Sequence, residues 1–217
     1  MRVIQVTGKG TLRFKPDITR LTLKLTGTFP EYEEAMRHST EDTESLKDTL
    51  EPLGFARTAL KTLAFNINAR FESRNDKNGY VSSQFVGYKF EHQIKLEFPS
   101  DNDLLGKALY ALAHSPVKPE FRISYTLKDQ EAAKNALIDK AVTDARTKAE
   151  VLTKAAGVTL KDIQKIDYSW GKVDLEYRLT REEWFDSISG GGGSYRPDIE
   201  PDDIEVSDTV TVIWEIA

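Results

Sequence analysis

Two runs of alternating residues constrain this chain more than any other feature. In the first, Leu63, Phe65, Ile67, Ala69 and Phe71 alternate with mostly polar neighbours. In the second, Val86, Tyr88, Phe90, His92, Ile94, Leu96 and Phe98 do the same. A period of two sends successive side chains to opposite faces, so each run is a half-buried strand. Between them lies a polar stretch with Asn78-Gly79 as a turn signal, and Pro99 ends the second run. Two strands joined this way make an antiparallel hairpin with a polar tip.

The remaining segments add helices to that hairpin. Tyr32, Met36, Ser39, Thr43, Leu46, Leu50 and Leu53 recur by threes and fours, so residues 30–54 form a helix whose apolar stripe is polar in its middle. Leu104, Leu105, Ala108, Leu109 and Leu112 mark a second helix. The third runs from about Asp129 to Ala156, with Ile138, Ala141, Val142, Ala145, Ala149, Leu152 and Ala156 in one stripe, Asp129 as cap and Gly157 as stop. A stripe so rich in alanine lets this helix approach a neighbour closely. Further alternation predicts strands around Leu21–Leu25, Phe121–Leu127, residues 160–170, and Val206–Ile216, the last interrupted by Asp208. Hairpins and helices mix without a regular strand–helix–strand rhythm. The predicted fold is therefore α+β, a mostly antiparallel sheet with helices packed on it. Two associated lobes are expected, β-α-β-β over 1–98 and α-β-α-β-β over 99–217, with a flexible arm inserted at 171–203.

Gly8-Lys9-Gly10-Thr11 invites a phosphate-loop reading. Such a loop needs G-x-x-x-x-G-K-[ST] between a strand and a helix. Here the glycine spacing is wrong and a strand follows, so no helix N-terminus faces a phosphate. The glycines are expected to permit a bulge or sharp twist where a strand re-enters the sheet.

The same residues carry a resemblance. "VTGKGTLRFKPDITRLTLKL" is similar to the opening of the SIMPL-domain family: a strand, G-x-G, then Pro-Asp before a second strand. "LKTLAFNINARF" with "GYKFEHQIKLEF", "DARTKAEVLTKAAGVTL", and the C-terminal "VSDTVTVIWEI" fit that family in order, over nearly the whole chain. The resemblance implies an α+β fold of two lobes and, in some bacterial members, ring-like homo-oligomers. It also implies export to the periplasm or envelope in many members, with links to oxidative-stress tolerance or immunogenicity. It supplies no catalytic residue.

Composition removes several function classes. The formal net charge is −5 with no basic block, which argues against nucleic-acid binding through phosphates. The absence of cysteine excludes a disulfide, a thiolate nucleophile and a zinc–cysteine site. No run of eighteen apolar residues is present, so membrane insertion by a helix is not expected. The chain opens on "MRVIQV" without an apolar leader, which points to the cytoplasm, or to the periplasm or envelope if a signal peptide has been removed.

Candidate chemistry is sparse. His38, His92 and His114 match no metal-ligand spacing, and His92 is expected as a hydrogen-bonded core or interface histidine. No G-x-S-x-G elbow is present. Asp198, Glu200, Asp202, Asp203, Glu205 and Asp208 lack the order of a calcium loop and suit a solvated acidic linker. No cofactor, metal or catalytic residue is expected. The arm is the most individual part. Thr180 and Glu183 form a capping-box pattern before Trp184, Phe185 and Ile188; Tyr195 follows a tetraglycine. These aromatics would dock on the chain's own core or on a neighbouring subunit.

The first expectation is thus a non-enzymatic, self-assembling protein, with a stress-related role implied by the resemblance. The second is a ligand- or partner-binding adaptor using an inter-lobe cleft or the arm. A hydrolase with an unrecognised site ranks last.

Overall fold

The computed structural model describes residues 2–75, 81–168, 173–178 and 201–217. The predicted arm residues Trp184, Phe185, Ile188 and Tyr195 lie outside the described residues. Among the described residues, eight strands and three α-helices follow one another as β1 (Val3–Phe14), β2 (Ile18–Phe29), α1 (Tyr32–Leu50), β3 (Lys61–Asn75), β4 (Val81–Pro99), α2 (Asn102–His114), β5 (Glu120–Thr126), α3 (Gln130–Ala155), β6 (Leu160–Asp167), β7 (Glu176–Arg178) and β8 (Ile204–Ile216). The fold is α+β, as the sequence predicts. The strands form two sheets, ordered β1-β8-β6 and β3-β4-β2-β5-β7.

The chain divides into two compact units. The first gathers residues up to Asp17, those from Thr126 to Tyr177, and those from Pro201 onward. The second holds Ile18–Tyr125 and, among the described residues, Arg178. A division after residue 98, expected from the sequence, differs from this one. Alternation reveals that a strand is half-buried but not which strand it pairs with. Here β1 runs antiparallel to β8, from Val3 opposite Glu215 to Phe14 opposite Ile204.

In the first unit α3 covers one face of the three-stranded sheet. Its buried residues are Ala133, Leu137, Ala141, Ala145, Ala149 and Thr153, spaced by four throughout. They pack with Val6 on β1 and with Val210, Val212 and Trp214 on β8 in one cluster, and with Ile204, Val206 and Leu175 in another. Leu152, expected on this stripe, is instead 50% exposed. Asp129 caps the helix as predicted, its Oδ1 accepting from Ala132 N–H at 2.8 Å.

Gly8 and Gly10 explain the closeness. A methyl group added at Gly8 would overlap the Ala141 carbonyl and Ala145 nitrogen and lie 2.7 Å from the Ala145 methyl. One added at Gly10 would overlap the Leu137 carbonyl. The expected bulge is absent: β1 keeps unbroken register with β8 through both glycines. They serve helix approach, not chain bending. The phosphate-loop reading also fails in the structure. Lys9 sits mid-strand opposite Thr209, and its N–H donates to Asp144 Oδ2 at 2.7 Å.

In the second unit β2, β4 and β3 are antiparallel neighbours. Leu21, Leu23, Leu25, Phe90, Ile94 and Leu96 are buried, as are Ala35, Leu46 and Leu50 of α1, which packs on β2 and β4, and Leu105, Leu109 and Leu112 of α2, which packs on α1. The reverse face is polar, with ion pairs such as Arg20–Glu97 at 2.7 Å and Lys24–Glu91 at 3.8 Å. Two irregularities reset the alternation. Register shifts between Thr62 and Ala64, so Leu63 is looped out and Thr62 takes its face. It shifts again across Val86, because Arg70 faces Gly87 while Phe71 faces Phe85. Gly87 holds φ at 137° there, a region L-residues avoid.

The close contact in the first unit gives a direct test. Gly8→Ala is expected to lower the unfolding free energy by about 1–3 kcal/mol, the range for an overpacked site, and Ala145→Leu by a similar amount. Thr11→Ala on the exposed face should stay within about 0.5 kcal/mol of the parent. Urea midpoints measure all three. An unchanged midpoint for Gly8→Ala would mean that α3 stands further off.

Candidate functional site

The polar middle of the α1 stripe, odd from sequence, has a partner. Ser39 is buried and Thr43 half-buried, and Thr43 meets His92 of β4. Thr43 Oγ1 donates to the Ser39 carbonyl at 2.8 Å. With its one proton used, that oxygen accepts from His92 Nδ1–H at 3.2 Å. On the other side Thr62, brought to this face by the Leu63 bulge, donates its hydroxyl to His92 Nε2 at 2.9 Å. Both ring nitrogens are engaged, and the network assigns the proton to Nδ1.

Phe65 packs edge-on to the imidazole, ring centres 5.2 Å apart, and Leu25 is opposite His92 in register on β2. Burial holds the His92 pKa below the usual imidazole range, and the nearby Lys47 ammonium acts in the same direction. The neutral ring has no free lone pair for a metal or a substrate proton. His92 is therefore the hydrogen-bonded core histidine that its strand position predicts. His38 stacks on Phe29 at 4.2 Å and meets Glu41 at 3.3 Å; His114 Nδ1–H donates to the Tyr110 carbonyl at 2.8 Å. The three histidines form no common site, and the described residues hold no group of metal-ligating side chains.

Beyond His92 the same face becomes an aromatic surface. Tyr32 meets Tyr88 edge-on at 5.5 Å, Tyr88 meets Phe85 at 5.3 Å, and Phe85 meets Phe71 at 5.6 Å. The Val86 bulge makes this possible by turning Phe85 to the side of Tyr88. Sequence alternation assigned Val86 to that face and missed Phe85. Phe71 remains 58% exposed and Phe85 45%. An open polar recess of about 290 Å³ lies elsewhere in this unit, lined by Lys24, Asp42, Lys118 and Glu120 among others. Burial raises the Asp42 pKa above the usual carboxylate range.

The acidic residues near the C-terminus also divide. Arg13 binds Glu205 at 2.7 Å on the surface, and Tyr168 donates its hydroxyl to Asp208 at 2.8 Å. Asp208 thus interrupts the apolar face of β8 with a bonded carboxylate.

Residues 4–214 match the SIMPL family, described as a protein of unknown function (DUF541). The chain is also 26% identical over 163 residues to the 26 kDa periplasmic immunogenic protein of Brucella melitensis. That match covers 75% of this chain and 65% of the relative, so the chain spans just under two thirds of that protein. No helix among the described residues is long and apolar enough to cross a membrane.

The His92 geometry sets a pH dependence. The folded pKa lies below the unfolded value of 6.5, so between the two the unfolded chain binds more protons. Stability then rises with pH across that window. The contribution is complete above about 6.5, the ordinary imidazole value, and declines as pH falls below it. His92→Gln should lose stability less steeply than the parent between pH 7.5 and 5.5, read from thermal midpoints. Equal slopes would mean that His92 is not held neutral.

Proposed function

We propose, from the premise that this chain belongs to the SIMPL family, that it works by assembling with copies of itself and not by catalysis. One observation carries the reading: large apolar side chains stand exposed on both units, and in the second Tyr32, Tyr88, Phe85 and Phe71 form a continuous row of ring contacts. In the second unit Tyr32, Met36, Leu63, Phe71 and Phe85 are between 45% and 58% exposed. In the first, Val151 and Leu152 on α3 and Ile163 and Ile166 on β6 are between 50% and 62% exposed. Single exposed apolar residues are ordinary, but groups of them mark interaction surfaces. The site chemistry leans the same way, because the buried histidine is committed to its own fold.

A periplasmic place of action, the compartment that names the Brucella relative, is proposed in preference to the cytoplasm suggested by the opening residues. The aromatic arm is a second contact on sequence grounds, since Trp184 and Phe185 are residue types that anchor interfaces.

Light scattering at micromolar concentration should report a species larger than a monomer; a monomer at every concentration would remove the proposal. Trp184→Ala with Phe185→Ala should reduce that size in sedimentation velocity while leaving the circular dichroism melt in place. Burial of one large aromatic is worth about 1.5–3 kcal/mol, so two suffice to shift an assembly equilibrium. An unchanged size would take the arm out of the interface.

A further inference from the structure

An exposed sheet edge is a template for another strand, and folded proteins usually block it. Among the described residues, three of the sheet edges are blocked. Along β1, Asp144 takes the outward Lys9 N–H and the Lys148 ammonium reaches the Thr7 carbonyl at 3.5 Å. Along β6, register shifts twice against β8, and Lys161, Asp162, Lys165 and Asp167 crowd eight residues. β7 is only three residues long. β3 differs. Among the described residues it is the outer strand of its sheet, fifteen residues long, and from Ala64 onward no residue of it is skipped in pairing with β4.

We infer that β3 is a docking edge for β3 of a second copy, paired antiparallel about a two-fold axis through Phe71; this rests on the self-assembly reading. Directly opposed residues of an antiparallel pair share a face, so odd positions must meet odd ones. Centring on Phe71 sets Arg70 against Glu72 of the second copy, and Glu72 against its Arg70. Ala69 then faces Ser73. Centring on Ile67 would instead set Arg70 against Ala64 and Glu72 against Thr62, pairing no charge. Within one chain Arg70 already holds Glu72 at 3.1 Å on the exposed side, so both groups stand on the face where the cross-strand pairs would form. On the opposite face, Phe71 and Phe85 of one copy would extend into those of the other. A two-fold contact of this kind is self-complementary and closes.

The chain has no cysteine, so cysteines can be introduced without background. A full-length Ala69→Cys chain mixed with a Ser73→Cys chain should form a disulfide dimer faster than either alone. Opposite charges across strands favour pairing and like charges oppose it. Arg70→Glu and Glu72→Arg should therefore each raise the dissociation constant of the contact about tenfold, and the double exchange should restore it. Sedimentation equilibrium reads the constants, and circular dichroism confirms that each variant is folded. If a charge variant unfolds, the cysteine mixture decides. An assembled parent whose 69/73 mixture fails to cross-link, or whose size ignores the charge exchanges, overturns the β3 contact and leaves self-assembly standing. A monomeric parent overturns both.

Discussion

The contact between α3 and β1 is the constraint on which the first unit depends. Two residues along a strand advance roughly 6.6 Å and four along a helix roughly 6 Å. Every second residue of β1 can therefore meet every fourth residue of an antiparallel α3. Gly8 lies against Ala141 and Ala145, and Gly10 against Leu137 and Ala141. The match explains why the buried column of the helix is spaced by four and not by the mixed threes and fours of an ordinary amphipathic helix. A side chain on either glycine would push the helix off the strand and open the cluster of Val6, Val210, Val212 and Trp214. The same contact closes the outer edge of β1, since Asp144 rides on the helix that the glycines admit.

That arrangement carries a kinetic consequence. The sheet of the first unit joins the two ends of the chain, with Val3 opposite Glu215. The entire second unit lies between those strands in sequence. Contacts of such separation bear a large loop-closure entropy and slow folding. The second unit is a continuous stretch from Ile18 to Tyr125 apart from one described residue. Its hairpin and helices can form from local contacts first, bringing β1 and the later segments of the first unit nearer.

Much of this was legible in the sequence, and the failures have physical causes. The hairpin, the three helices, the Asp129 cap and the close approach of the alanine helix follow from periodicity and cap chemistry. The two bulges do not. A bulge adds one residue and transfers every later side chain to the other face. Alternation therefore placed Leu63 and Val86 on the face of His92 and Tyr88, which Thr62 and Phe85 in fact share. Both errors matter for the site, because Thr62 satisfies His92 and Phe85 builds the aromatic surface. The polar middle of α1 was visible, but its meaning required the His92 ring beneath it. Gly8 and Gly10 were noticed for the wrong reason: a glycine in a strand serves equally as a bulge or as a place of close approach, and only the neighbour decides. The arm residues Trp184, Phe185, Ile188 and Tyr195 lie outside the described residues and stay a reading of sequence alone.

Under the self-assembly proposed above, the two sets of exposed apolar residues would impose different forms of growth. A two-fold contact through β3 uses the same surface on both copies, so by itself it stops at a dimer. Larger closed assemblies need a second, separate contact. Val151, Leu152, Ile163 and Ile166 of the first unit provide apolar area on a different element set, beside an edge whose charges and irregular pairing discourage strand addition. That surface suits packing of side chains more than extension of a sheet. One contact through backbone and matched charge, and another through side-chain burial, would respond differently to salt. The first would contain exposed ion pairs that salt screens; the second would be apolar, and salt would leave it intact or strengthen it. Dissociation on raising sodium chloride should then proceed through a species held by the first-unit surface alone, not directly to monomers.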